Sequence, residues 1–378
     1  MSILNNAAAC GALVLVLHAA PLHASKAEMP GFQPRDESSA AALPVHVVIE
    51  QPRVKPQIAY GYTNVPGIVS YGNYPGMSLG QTMGVDLAGG LIASALINGA
   101  EYAGAKHFAR GPYRLMQDAQ CDLPLDAALG AAVEGAIRAR WQEATVRTHV
   151  LADGGSVNKA VGTGQPRYVF AVSSSLTPDF SALVTSITAE AHAASPAGAS
   201  ASKQPAWRDT LIVVSDRMVL PAKTQADIDI LVDAANARYA ALDLEALVRK
   251  VNAAGALADR RDRQTIIYAQ REHRASFKEA NRSDWTPAGE ATRRAMLWSE
   301  QQCGALAGAV EASAAHAGLA VTALLGGTLP ARPADASTPL AEETAGERRL
   351  VALYGGTYIS RRGGDEVALG FRNSVLTD

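Results

Sequence analysis

The chain contains Tyr168-Val-Phe-Ala-Val172, then Leu176-Thr-Pro-Asp179, then Phe180-Ser-Ala-Leu-Val-Thr-Ser-Ile-Thr188. The first and last of these stretches are rich in β-branched and aromatic residues, which favour strands. The Thr-Pro-Asp sequence between them is typical of a tight turn. The sequence therefore predicts an antiparallel hairpin here, and a further strand at residues 210–214 extends it into a meander.

Helical patterns lie on both sides of this meander. Leu125, Leu129, Val133 and Ile137 recur every four residues, which predicts an amphipathic helix ending near Trp141. In the second half, Thr286 is a good N-cap and Pro287 suits the first helical position. They open a long Ala-rich helix that runs past Cys303, with Gly304 and Gly308 expected to bend it.

These patterns predict an α+β fold, with an antiparallel β meander packed with amphipathic helices, a long Ala-rich helix and a C-terminal β-hairpin. The hairpin strands are expected at residues 349–354 and 367–371. The expected organisation is a signal peptide (1–25), a flexible leader (26–44), an α+β domain (45–220) with a Tyr/Gly-rich loop (56–80), a helical region (221–328), a linker (329–347) and the hairpin (348–378), which is expected to pack on the main body.

The first 25 residues contain no charged side chain and include the apolar run 11–17, followed by small residues. This pattern is typical of a cleavable secretory signal peptide. An uncleaved anchor is the main alternative, but the run is short for a spanning helix, which needs about 20 apolar residues. Ala-Ala-Cys10 resembles a lipid-attachment box, yet Cys10 precedes the apolar run, which argues against lipidation.

Composition limits the class of protein. Of the 378 residues, 48% are hydrophobic and 19% are charged, and the formal net charge is -2. These values fit a globular protein and disfavour a nucleic-acid partner, which would need a basic patch or stripe. The one dense basic cluster, residues 260–263, contains an acid and is interpreted as a solvated helix end or loop.

Cysteine usage agrees with export. After signal cleavage only Cys121 and Cys303 remain, an even number in a compartment where disulfides persist. A bond between them would close a loop of about 180 residues, worth on the order of 4 to 5 kcal/mol in the chain-entropy treatment. The alternative is two buried thiols that never meet.

Two segments are candidate contact surfaces. In the 56–80 segment, tyrosines alternate with turn residues; it is interpreted as an ordered loop wrapping the body, and its tyrosines are the first candidates for a partner contact. Residues 87–100 are apolar with small residues on nearly every turn, which predicts a buried helix, with membrane-surface or oligomer contact as the alternatives. The partner-contact candidates are Tyr60, Tyr62, Tyr71 and Tyr74.

The sequence shows no established catalytic signature. The histidines outside the signal do not fall within a ligand spacing of one another, and the Ser156-x-x-Lys159 match lies in Gly-rich loop sequence. Asp227, Asp229 and Asp233 are interpreted as acids that complement a helix dipole. No catalytic residue, metal ligand or cofactor is therefore assigned. If the protein is an enzyme with a site assembled from scattered residues, the candidates are Glu272, His273 and Asp153.

The order of these features resembles exported proteobacterial proteins of uncharacterised function. The resemblance rests on the exported leader, the Gly-rich helix, the helix ending in Trp, the Leu-Thr-Pro-Asp-Phe turn and the late helix containing Cys303. It covers most of residues 85–220 and part of 285–325, and it implies an envelope location without implying any site residue. We expect a periplasmic, non-catalytic binding or assembly component with a protein partner or self-association. Contact with a membrane surface is an alternative, and so is a minor lipoprotein-like structural factor.

Overall fold

A computed structural model gives the fold of the protein. It describes residues 43–59, 105–332 (apart from 107, 153–154, 163–164, 193–204 and 258), 341–362 (apart from 346 and 354–355) and 373–375. The predicted signal peptide, nearly all of the leader, Tyr60, Tyr62, Tyr71, Tyr74 and the segment 87–100 lie outside the described residues.

A mixed β-sheet forms the centre of the fold. Its strands are β1 (Val45–Ile49), β2 (Lys55–Ala59), β3 (Val146–Val150), β4 (Arg167–Leu176), β5 (Leu183–His192), β6 (Trp207–Val214), β7 (Ala341–Ala345), β8 (Arg348–Leu353), β9 (Thr357–Arg362) and β10 (Asn373–Val375). They run in the order β10-β2-β4-β5-β6-β9-β8-β7, and β1 lies between β3 and β4.

The predicted α+β fold and meander are confirmed, with parallel strands added at the flanks. β4, β5 and β6 pair antiparallel in sequence. β1 pairs parallel with β3 and β4, and β6 pairs parallel with β9. Parallel neighbours need a long crossover, and the helical segments between these strands provide it. The sheet is therefore mixed rather than purely antiparallel.

The helix at 131–140 and the long helix at 287–326 pack on one face of the sheet and enclose the main core, and the short helix at 157–161 packs on the opposite face beside Val48 and Val169. A π-helical turn (Asp126–Gly130) leads into the predicted amphipathic helix, which ends at Trp141 as expected. The ring of Trp141 lies 4.9 Å from that of Tyr168, and both side chains are buried. The helices are α1 (residues 108–118), α2 (Ala131–Arg140), α3 (Val157–Val161), α4 (Gln225–Ala240), α5 (Leu244–Ala254), α6 (Arg260–Ala280) and α7 (Pro287–Gly326), with a short 3₁₀ turn (Gly255–Leu257) after α5.

The turn between β4 and β5 is longer than the sequence indicated. Strand β5 begins at Leu183 rather than at Phe180, because the Asp179 carboxylate accepts hydrogen bonds from the Ser181 amide (3.1 Å) and hydroxyl (2.8 Å). Phe180 has a positive φ of 59° and is fully buried. The local side-chain bonding thus keeps residues 177–182 out of the strand.

Helix α7 is the long Ala-rich helix, and its N-terminus forms as predicted: the Thr286 side chain accepts a hydrogen bond from the Gly289 amide. The expected bend at Gly304 and Gly308 is wrong. The backbone leaves helical geometry at residues 300–303 instead, where Gln301, Gln302 and Cys303 have positive φ. Among the described residues α7 is the one helix long and apolar enough to cross a membrane by length and composition, a test that core helices also pass, and its inner side is buried against the sheet.

The C-terminal hairpin is present, but its second strand is not the predicted one. β8 pairs with β9 at residues 357–362, because the turn falls near Gly356, whose φ is 78°. Residues 367–371 lie outside the described part of the chain. The segment 329–347, expected to be a linker, contains strand β7. Since β9 pairs with β6, the hairpin completes the same sheet as the meander.

Candidate functional site

A groove on the outer side of α7 combines apolar and cationic walls. Its floor is a row of small residues one helical turn apart: Ala305, Gly308, Ala309 and Ala312. A Cβ added at Gly308 would meet no atom within 4 Å, so the floor is open there. The cavity has a volume of 340 Å³, within the range of about 300–1,000 Å³ that is usual for small-molecule sites.

Residues 215–218, which follow β6, form one wall of the groove. Their backbone is fixed by the start of β5: the Ser215 amide donates to the Leu183 carbonyl (2.8 Å), and the Met218 amide donates to the Ser181 carbonyl (2.7 Å). The Ser215 hydroxyl oxygen accepts from the Leu183 amide at 2.9 Å. This wall is therefore held by the meander itself.

Trp298 closes one end of the groove and ties α7 to the β4–β5 turn. Its indole Nε1 donates to the Phe180 carbonyl at 2.7 Å. One turn earlier on α7, the buried Arg294 guanidinium donates to the carbonyls of Asp179 and Met218, both at 3.2 Å. It also lies 3.3 Å from the Asp179 carboxylate. The spacing between the floor and the wall is thus set by directional bonds.

Two arginines and a histidine line the groove: Arg217, Arg348 and His316. Arg348 is held by hydrogen bonds from Nη2 to the Val214 carbonyl (2.6 Å) and the Ser360 carbonyl (2.9 Å). Arg217 has a buried Nε with no hydrogen-bond partner among the described residues, and it forms no ion pair with them.

The acid in the groove, Asp216, is already engaged. Its carboxylate lies 3.3 Å from Arg362, which also pairs with Glu347 at 3.0 Å. Burial lowers the pKa of His316, the Arg348 charge lowers it further, and Asp216 opposes these effects. At neutral pH the imidazole is therefore mostly neutral, and an anion placed beside it would favour its protonation.

A second, smaller cleft lies between α4 and α6. It brings together Glu272 and His273, two of the three candidates for an enzyme site, with Arg114, Arg238 and Ser276. The His273 Nε2 lies 2.9 Å from the Asn236 Oδ1, and its ring stacks on Tyr239 with centroids 4.4 Å apart. The third candidate, Asp153, lies outside the described residues.

The candidate disulfide between Cys121 and Cys303, which the sequence left open, is present. The two residues are separated by 182 positions in sequence, and their Cα atoms are 5.6 Å apart, within the range that a disulfide requires. Cys121 follows α1, and Cys303 ends the non-helical stretch of α7. The bond therefore joins α7, beside the groove, to the N-terminal half of the fold.

Sequence reasoning missed both the groove and a histidine pair. His46 on β1 and His149 on β3 come within 3.0 Å, nitrogen to nitrogen, although 103 positions separate them. Within the described residues no group of three or more His, Cys, Asp or Glu could hold a metal ion. The small residues between 305 and 312 were the sequence feature that could have indicated the groove. Helical spacing alone, however, does not show whether such a row of residues is buried or exposed.

Comparison with known proteins adds no relative: no family model, no curated protein and no solved structure matches the chain.

Proposed function

We propose that this protein is an exported component of the bacterial envelope that works in the periplasm by binding rather than by catalysis. The observation that supports export is the Cys121–Cys303 bond. Disulfides form and persist in oxidising compartments and are rare in the cytosol. Together with the uncharged, apolar N-terminal segment, this bond favours a protein that crosses the inner membrane before it finishes folding.

The groove along α7 supports a binding role. Its walls are fixed by main-chain hydrogen bonds, and its lining combines the aromatic Trp298, small aliphatic residues and cationic side chains. Ligand pockets typically have this composition, with a mostly apolar lining and a few placed polar groups.

Fractionation of cells with N-terminal sequencing tests the export step. We expect the protein in the periplasmic fraction, with a mature N-terminus near residue 25. Recovery of the chain in the cytosol with Met1 intact would contradict export. A variant with Leu13, Val14 and Leu15 replaced by Asp is the matched control, since it loses the apolar run and should stay in the cytosol.

A protein partner, or a second copy of the chain, remains part of the proposal. Tyr60, Tyr62, Tyr71 and Tyr74 are its candidate contacts, since tyrosine is enriched in interfaces. Chemical crosslinking in intact cells should give a discrete higher-mass band that disappears when the four tyrosines are replaced by Ala. A band that is unchanged in this variant would remove them as the contact. Release of the protein from washed membranes by salt would instead indicate contact with a membrane surface.

The alternative is a periplasmic enzyme. The cleft between α4 and α6 is its candidate site, because Glu272 and His273 both line this cleft. An acid and an imidazole with nearby arginines could act in general acid–base chemistry. Turnover of p-nitrophenyl acetate or p-nitrophenyl phosphate by the wild type, lost in Glu272→Gln and His273→Asn, would establish this alternative.

A further inference from the structure

We propose that the groove between α7 and residues 215–218 binds a small organic anion with an apolar body, such as a medium-chain or aromatic carboxylate. This inference rests on the proposed binding function and names the ligand class for it.

The floor and one end of the groove require an apolar ligand body. Ala305, Gly308, Ala309 and Ala312 present no hydrogen-bonding side chain, and Trp298 and Met218 add an aromatic and a thioether surface. A ligand made only of polar groups would lose its hydration against this surface and regain little. An apolar chain or ring would release water from it.

The basic side chains that line the groove, Arg217, Arg348 and His316, favour a negatively charged ligand. Arg217 has a buried Nε that no described residue satisfies, and no carboxylate of the described residues pairs with its guanidinium. No described carboxylate therefore neutralises the charge of Arg217, which lines the groove. Its Nε is closed to solvent, so a carboxylate, sulfonate or phosphate in the groove would meet the outer nitrogens of the guanidinium in a charge-assisted bond.

Asp216, the one acidic residue that lines the groove, does not change the preference for an anion. Asp216 is paired with Arg362 at 3.3 Å, so a cationic ligand would have to compete with a guanidinium already in place. An anion would instead face Arg217, Arg348 and His316, and would not displace the Asp216–Arg362 pair. The charge arrangement therefore favours anions over cations of the same size.

His316 makes the binding dependent on pH. The charged groups that face it are Arg348 at the start of β8, Asp216 after β6, and Arg217 on the same wall. Its free imidazole is mostly neutral at pH 7. Protonation as the pH falls adds a positive charge beside the ligand, so the anion should bind more tightly at pH 5.5 than at pH 8.

Fluorescence titration of the full mature protein with 8-anilinonaphthalene-1-sulfonate, an aromatic anion, tests the site. We expect saturable binding that decanoate displaces at least ten times more effectively than decanol, which has the same chain but no charge. The affinity should rise as the pH falls from 8 to 5.5, and this rise should disappear in His316→Gln.

Two variants and their matched controls locate the binding in the groove. Gly308→Leu should weaken the affinity at least tenfold, because the added side chain fills the open floor. Thr322→Leu places a leucine at an exposed position about 21 Å further along α7, which does not line the groove, and should change nothing. Arg217→Gln should weaken binding of the anion several-fold, while the remote Arg138→Gln should not.

Equal affinity in wild type and Gly308→Leu, or equal displacement by decanoate and decanol, would overturn the inference. Because the titration uses purified protein, it is independent of the fractionation experiment. If the protein is exported but does not bind the anion, the proposed ligand class is wrong and the proposed export still holds.

Discussion

Asp179 connects the β4–β5 turn to α7 through a single carboxyl group. One oxygen accepts from the Thr177 hydroxyl (2.7 Å) and from Ser181, and the other lies 3.3 Å from the Arg294 guanidinium. Arg294 and Asp179 are 4% and 8% exposed at their side chains, so neither charge can return to water without opening the fold. The chemistry of these two residues therefore fixes both the turn and the wall of the groove.

Replacing Arg294 with Met should lower the free energy of unfolding by about 3–5 kcal/mol, because it leaves the buried Asp179 carboxylate without its counter-charge. Urea unfolding at pH 7 measures the change. The control is Arg138→Met, which removes an exposed i,i+4 pair with Glu134 and should cost at most about 1 kcal/mol. Similar losses in the two variants would show that the Arg294 pair contributes no more than a surface pair.

Helix α4 begins with a complete capping box. The Thr224 hydroxyl oxygen accepts from the Asp227 amide (3.3 Å), and the Asp227 carboxylate accepts from the Thr224 amide (3.0 Å). The carboxylate also accepts from the Thr224 hydroxyl at 2.7 Å and pairs with Arg293 of α7. The Thr224 side chain, its amide and then Arg293 lower the pKa of Asp227 against the opposing effect of burial.

The lowered pKa gives α4 a pH-dependent stability. A carboxylate with a depressed pKa stabilises the fold above its ordinary value of 3.8 and loses that contribution as the pH falls through its folded pKa. Asp227→Asn should therefore destabilise the protein by about 1 kcal/mol at pH 7, and the difference from wild type should shrink below pH 4. A deficit that stays constant from pH 7 to pH 3 would contradict this.

Some of the helices and strands could be predicted from the sequence, and others could not. The meander, the helix ending at Trp141 and the Thr286 cap were predictable, because each depends on residues within a few positions of one another. The late start of β5 could not be predicted, because an aspartate such as Asp179 is typical both of a turn and of the residue before a strand. The break at residues 300–303 has no Gly or Pro, and Gly308, which suggested a bend, lies within the regular helix.

The groove is formed by residues that lie far apart in the chain, and a single sequence does not show which distant residues come into contact. Arg217, Trp298 and Arg348 meet in the groove although about 50 or more positions separate each from the next. The pairing of His46 with His149 depends on β1 lying between β3 and β4. The Cys121–Cys303 pair was a candidate because only two cysteines follow the predicted signal, but one sequence left open whether the two residues come within bonding distance.

That bond should be a large part of the molecule's stability. It closes a loop of 182 positions, and the chain-entropy treatment gives about 5 kcal/mol for such a loop. The double variant Cys121→Ala/Cys303→Ala should lose most of this in urea unfolding. Reduced wild type should match the double variant, and a loss below about 1 kcal/mol in both would mean that the unfolded chain is not restrained by the bond.

Thiol trapping of the protein from growing cells tests the envelope assignment most directly. Cells are quenched in acid, the protein is denatured with a maleimide of known mass, and the adducts are counted by intact-mass spectrometry before and after reduction. We expect no adduct before reduction and two afterwards, at Cys121 and Cys303, on a chain that has lost Cys10 with its signal. Two adducts without reduction, or a third at Cys10, would contradict an exported, disulfide-bonded protein.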